Sequence, residues 1–338
     1  MADINIKYLA EQLKLAPSTV SRALNDSYEI SQATKDKVIK LARELNYQPN
    51  PYARSLREHK SKTIAVIMPE RINTFFSQVM EGIEHITEKH GYHLLMYCTH
   101  EDEEVERRII SYLLNGRVDA IVMSVSSQAN QIDHLKAVHA KGLPIIFFDR
   151  ICQQIPTTKY ITNDFESGFK ATEHLISRGC SKILFLLLSK KISIGVERLR
   201  GYREALKTHG LPFEDDWIVQ CSHGEEENVA LISAHLEGQG RADGILASVE
   251  KLAIATYRAV KNQNLSMPKD VKLVSFSNMT IADLLSPSLT TISQPAYEIG
   301  KECASQLMKK LTRKGQPDLE DVTRTFPSTI NIRESSGK

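Results

Sequence analysis

From Thr63 onward the chain alternates short apolar runs with segments of helical periodicity, and does so twice. The first set runs TIAVIM, LLMYC, AIVMS and PIIFFD, with helices expected near 76–90, 103–115 and 131–141. After residue 160 come ILFLLL, WIVQC, GILAS and VKLVSF, separated by helices near 167–178, 197–209, 226–238 and 250–262. Strands buried on both faces read as continuous apolar runs. Helical crossovers between them force a parallel, doubly wound sheet. The repetition predicts two such lobes, and ligands of open parallel sheets sit beyond the carboxyl ends of the strands. Residues just after each run are therefore candidates for binding.

The first sixty residues follow a different pattern. Ile6, Leu9, Ala10 and Leu13 share one helical face, and Val20, Ala23 and Leu24 form a second stripe after a short turn. A third helix is expected with Ser31 as N-cap and Val38, Leu41, Ala42 and Leu45 facing the core, stopped by Asn46 and Pro49. Two short helices a few residues apart suggest a helix-turn-helix. Pro17 opens the second helix, where its missing N–H costs nothing. Ser18, Thr19, Ser21, Arg22 and Asn25 give that helix a polar, short-armed face suited either to solvent or to DNA. Arg22 has the reach for a bidentate contact with guanine.

At 338 residues with 41% hydrophobic content, the chain can build more than one core. The longest aliphatic and aromatic run, Ile183 to Leu188, falls far short of a membrane span. No export segment is read in the sequence, so a cytoplasmic protein is expected. Cys98, Cys152, Cys180, Cys221 and Cys303 stand singly, without the spacing of a zinc site or disulfide framework. Neither metal nor cofactor is expected. Net charge is +2, of which residues 1–60 supply +3, a weak asymmetry that permits nucleic-acid binding.

The segments PSTVSRALN (Pro17 to Asn25), IS..TKDKV, LNYQPN (Leu45 to Asn50) and ARSLR (Ala53 to Arg57), in this order, closely resemble the signature of the LacI family. The resemblance implies a dimer whose second helix lies in the major groove of an operator. Pro17, Ser18 and Arg22 would face bases, while Thr19, Ser21, Asn25 and Tyr47 hold phosphates. Two departures stand out: Ala16 and Lys14 occupy positions where the family usually has a capping Ser and a turn Gly. From Asn50 to about Glu58 the segment is too short to be a stable helix alone. Ala53 and Leu56, flanked by Arg54 and Arg57, suit an apolar wedge in a minor groove, or a flexible basic linker. The family favours the wedge.

For the core, the resemblance implies the periplasmic sugar-binding-protein fold, with three crossings between lobes. The whole is then a small all-α helix-turn-helix head plus an α/β core of two doubly wound parallel-sheet lobes. The expected divisions are a head at 1–49, a hinge at 50–60 and an effector-binding, dimerising core at 61–338. Its first lobe takes about 61–160 and 292–325, its second about 161–291 and 326–338. SPSLTTISQP resembles the family's return strand and TFPSTINIRESS its closing strand.

Local matches place Phe75, Phe76, Asp149, Arg150, Arg198 and His223 in an effector cleft, with Asn163, Asp164 and Glu250 in further cleft-facing loops. Core packing stays open for the two phenylalanines, and an interlobe ion pair for Asp149 and Arg150. At Ser277 many relatives carry an aspartate that grips the ligand. A neutral hydroxyl there leaves room for a more anionic effector, although a sugar or sugar derivative leads. The expected function is transcriptional regulation by a homodimer that binds a palindromic operator, most simply as a repressor, under allosteric control by a small ligand. The sign of that control stays open. An enzyme is the chief rival, but no P-loop, GxGxxG after a strand, nucleophile elbow or metal-spaced His cluster is present. A secreted sugar receptor would match the core but not residues 1–60.

Overall fold

A computed structural model describes residues 5–47, 60–126, 132–188, 192–222, 224–238, 240–312 and 318–337. The chain divides into two compact units, Met1–Ser61 and Lys62–Lys338. The hinge residues Asn50, Ala53, Arg54, Leu56 and Arg57, and the expected cleft residue His223, lie outside the described residues.

Among the described residues, the first unit holds three helices: α1 (Ile6–Leu13), α2 (Pro17–Leu24) and α3 (Gln32–Glu44). Leu9, Ala10, Val20, Ala23, Val38 and Ala42 form its buried core, with Leu41 and Leu45 half-buried at its edge. Asn5 caps α1, its Oδ1 accepting from the Lys7 and Tyr8 amides at 3.0 and 3.1 Å. Lys14 closes α1 with φ +51°, a left-handed turn that glycine adopts without the Cβ penalty. No side chain caps α2 at Ala16. Ser31 occupies the N-cap position of α3 but makes no capping hydrogen bond; its hydroxyl pairs with Thr34 Oγ1 at 2.9 Å instead.

In the second unit, the first lobe orders its strands β2 (His93–Cys98), β1 (Thr63–Met68), β3 (Ala120–Met123), β4 (Ile145–Phe148), β5 (Lys159–Thr162) and β11 (Thr323–Phe326). The second lobe repeats the plan with β7 (Ile218–Gln220), β6 (Ile183–Leu187), β8 (Gly244–Ala247), β9 (Lys272–Phe276), β10 (Thr290–Ser293) and β12 (Thr329–Asn331). Every pairing is parallel except β12 with β10. This departs from the all-parallel expectation for a simple reason. The chain leaves β11 at a carboxyl end and re-enters the other sheet after only Pro327 and Ser328, so β12 must run back against its neighbours.

Helices cover both sheets: α4 (Thr74–Thr87), α5 (Glu103–Leu113), α6 (Asp133–Ala140) and α11 (Ala296–Thr312) in the first lobe. In the second they are α7 (Asp164–Ser177), α8 (Ser193–Thr208), α9 (Glu225–His235) and α10 (Glu250–Asn262). The sequence reading had no helix at α11, which packs on α4 and completes the first-lobe core through Ile299, Cys303 and Leu307. The lobe boundaries expected at 160/161, 291/292 and 325/326 cut through β5, β10 and β11. Hydrogen bonding holds each strand whole, so the crossings fall at Asn163, at Gln294 and at Pro327–Ser328.

Each lobe has one helix pair in backbone contact. A Cβ on Gly82 of α4 would strike the Tyr297 carbonyl, and one on Gly300 of α11 the Val79 carbonyl. Gly168 of α7 and Gly201 of α8 meet the partner backbone in the same reciprocal way. Gly82→Ala should therefore destabilise the core by about 1–3 kcal/mol, seen as a lowered melting temperature. An unchanged melting temperature would mean that the two helices part freely.

Candidate functional site

On the head, α2 leaves Pro17, Ser18, Arg22 and Asn25 exposed and Thr19 and Ser21 half-buried, while Val20 and Ala23 face inward. The polar face expected from the sequence is thus an outward surface. Asn25 turns its amide back on the helix, Nδ2 donating to the Ser21 carbonyl at 2.7 Å. Arg22 Nη1 lies 2.9 Å from Glu29 Oε2. Tyr47 is half-buried against the head core, and burial raises its phenol above the ordinary value.

The core's candidate site is the cleft where the carboxyl ends of the two sheets face each other. Phe75, Phe76, Asp149, Arg150, Arg198, Glu250 and Ser277 all line it. Phe75 and Phe76 begin α4 and meet edge to face at 5.3 Å, and Phe76 meets Phe148 likewise at 6.1 Å. They belong to the first-lobe core and border the cleft as well.

Arg198, 2% exposed, is fixed on three sides. Its Nε donates to Asp164 Oδ1 at 2.7 Å, its Nη1 to the Ser248 carbonyl at 2.5 Å, and its guanidinium lies 3.9 Å over the Phe276 ring. Among the described residues Nη2 is buried with no partner. Burial pushes Asp164 above the ordinary carboxylate value despite Arg198 beside it. Asp164 is thus the buried counter-ion of Arg198 and does not line the cleft.

Arg150 is held in the same manner on the opposite lobe. Nη1 donates to both oxygens of Glu101 at 2.8 and 2.6 Å and to the Ser126 carbonyl at 3.3 Å. Its Nε, 3.8 Å from Asp149 Oδ2, makes no hydrogen bond. Asp149 and Arg150 make their ion contact within the first lobe and not between lobes, because both follow β4; Glu101, the hydrogen-bonded partner of Arg150, follows β2 of the same lobe. Glu101 was missed, although it stands just beyond the run LLMYC. Its backbone and those of His100 and Asp149 all adopt positive φ, at +62°, +54° and +59°.

Ser277 does not leave the cleft without an acid at that point. Its hydroxyl donates to Glu250 Oε2 at 2.7 Å, so the carboxylate expected separately in the cleft stands, on the first residue of α10, directly beside the hydroxyl. Glu250 Oε1 accepts from Thr74 of the other lobe at 3.1 Å. Lys251 to Glu70 at 2.6 Å and Asn278 to Gln78 at 2.6 Å also bridge the lobes. Asn163 lies outside the cleft lining. Its Oδ1 accepts from Ser167 Oγ at 3.0 Å and the Ser328 amide at 2.7 Å, tying the first crossing to the third. This tie was not legible in the sequence, since Ser328 stands 165 positions from Asn163.

Burial raises the Asp149 carboxyl to about 6, with Arg150 and Arg198 pulling it down in part. The folded protein therefore holds this proton more tightly than the unfolded chain. The resulting stability is fully present below about pH 4 and lost as pH rises through about 6. Asp149→Asn cannot ionise, so its stability relative to wild type should rise across that window in urea unfolding. A constant difference between the two proteins would refute the assignment.

Two known groups match these two units. Residues 61–333 match the periplasmic binding proteins and sugar binding domain of the LacI family. Residues 5–50 match the bacterial regulatory proteins of the lacI family. The ribose operon repressor of Haemophilus influenzae is 29% identical over 330 residues, covering 98% of each chain. Catabolite control protein A of Priestia megaterium is 26% identical and covered over 99% of each. Among solved structures, the lac repressor dimer bound to operator and an anti-inducer aligns with a TM-score of 0.84 at 20% identity, over 99% of each chain.

The fold and its two surfaces define a regulator with a DNA-binding head and a periplasmic-binding-protein-like core. The chain belongs to the LacI family of bacterial transcription regulators.

Proposed function

We propose that this chain represses transcription as a homodimer, two heads occupying the half-sites of a palindromic operator while a small ligand in the core cleft sets operator affinity. The carrying observation is the unspent Nη2 of Arg198, buried in a cleft between two lobes. A buried guanidinium N–H without an acceptor is costly, and a ligand oxygen supplies one. The cleft is narrow, with a cavity of about 30 Å³, room for roughly two waters. A ligand must then part the lobes, which gives it a differential hold on two conformations.

A neutral sugar or sugar derivative fits best. Hydroxyls both donate and accept, and so serve Glu250 and Asp149 as well as the spare N–H groups of Arg198 and Arg150. The surrounding carboxylates of Glu101, Asp149, Asp164 and Glu250 already outnumber the two arginines, which disfavours an anion. Relatives named for ribose regulation, and a solved regulator in complex with cellobiose, agree with this class.

Exposed apolar side chains on both lobes, among them Met96 at 55% and Leu284 at 76%, suit pairing of two cores. In the hinge, the wedge role of Ala53 and Leu56, the phosphate-seeking role of Arg54 and Arg57 and the DNA-binding assignment of Asn50 rest on the family resemblance. No catalytic step is assigned to the cleft, and the site of action is the cytoplasm, where the DNA is.

Selection of bound sequences from a random DNA pool, at one stated salt concentration, should return a palindrome. A single asymmetric site would overturn the paired-head reading. Arg198→Lys keeps a cation beside Asp164 and removes the free fork. It should retain operator binding while losing at least about 10-fold in response to whichever neutral monosaccharide or disaccharide shifts wild-type operator affinity. An unchanged response would remove Arg198 from the ligand site.

A further inference from the structure

The reading side of the head carries a charged group that the sequence pattern did not single out. Glu29 follows α2 in the loop to α3, and its Oε2 lies 2.9 Å from Arg22 Nη1, with the two side chains 46% and 57% exposed. The loop's shape is fixed from within. Lys35 of α3, only 8% exposed, reaches back to the Asp26 carboxylate at 2.6 Å and the Asp26 carbonyl at 3.4 Å. Asp26 takes φ +53°, the Ser27 amide donates to the Arg22 carbonyl at 3.0 Å, and Ile30 packs on the head core. Anchored at both ends, the loop carries Glu29 outward beside Tyr28, which is 93% exposed.

An exposed ion pair contributes little to folding, roughly 0–1 kcal/mol, so the fold does not need Glu29. Near a polyanion, a carboxylate even opposes binding. What it does supply is orientation. A guanidinium offers five N–H groups in a rigid fork, so one can be held by a carboxylate while others address the O6 and N7 acceptors of guanine. Unheld, the long Arg22 side chain samples many rotamers and can settle on phosphates instead, a contact without sequence information.

We infer that Glu29 is a positioning residue for DNA specificity: it holds Arg22 in its base-reading orientation and trades general affinity for discrimination. The inference rests on the reading that α2 faces base edges.

The test uses the full-length protein on the operator recovered by selection, with every single-base-pair variant of one half-site, at two salt concentrations. Three proteins are compared: wild type, Glu29→Gln and Arg22→Ala. Glu29→Gln is expected to keep the melting temperature, to bind unrelated DNA as tightly or more tightly, and to lose about 10-fold in discrimination at the base pair where Arg22→Ala also loses it. If Glu29→Gln raises affinity by one common factor for all sequences, Glu29 acts only as a repelling charge and the inference falls. If Arg22→Ala leaves every base preference intact, the base-reading role of α2 falls and takes the inference with it. Loss at the Arg22 base pair in Arg22→Ala alone overturns the inference and leaves that reading standing.

Discussion

The arrangement of the core depends on how three chain crossings are tied together. Asn163 accepts from Ser328 of the third crossing, and Gln294 of the second donates to Thr162 Oγ1 of the first at 3.0 Å. Asn278 clasps Gln294 through its carbonyl and amide at 2.7 and 2.9 Å. Parallel sheets place their carboxyl ends on one side. Joining two sheets there by three short, mutually bonded strands of chain makes those ends face each other. The cleft, the convergence of Arg150 and Arg198 on it, and the interlobe contacts of Glu250 all follow from that constraint.

Buried charge then determines what the cleft can do. Each arginine is held by an acid of its own lobe, Arg150 by Glu101 and Arg198 by Asp164. Ionic groups buried so deeply contribute little net stability, yet removing one member leaves the other uncompensated at a cost of about 3–5 kcal/mol. The pairs therefore fix position more than they stabilise. Because each pair lies within one lobe, separation of the lobes leaves both arginines in place. The contacts that such a movement must break are the bridges from Glu250, Lys251 and Asn278.

Most of the architecture was legible in the sequence, since apolar runs of strand length and stripes of helical period are local. The doubly wound lobes and the three described head helices were expected from such patterns; Asp149 and Phe76 were expected in the cleft from family matches just after strands, and Arg198 from the family match at RLRGY inside α8. What escaped depends on contacts remote in sequence. Glu101 matters because β2 and β4 end side by side in space. Asn163 serves as a strut only because residue 328 returns to it. The antiparallel course of β12 reflects a two-residue link, and the acid beside Ser277 comes from a helix that begins twenty-seven residues earlier. Glu29 was unremarkable until the loop geometry placed it against Arg22.

The helix pair of the first lobe joins Gly82 to Gly300, and β11 adds its edge strand from Thr323 to Phe326. That lobe is thus begun before the second lobe and completed after most of it, whereas the second lobe is nearly continuous between Asn163 and Ser293, with β12 added later. On a ribosome releasing the chain from its N-terminus, the second lobe has most of its material together before the first lobe receives its last helix and strand. The apolar underside of α4 must wait, uncovered, until α11 emerges. An order of assembly is therefore written into the threading: five of the second lobe's six strands are available before α11 and β11 complete the first lobe, and β12 joins the second sheet only after them.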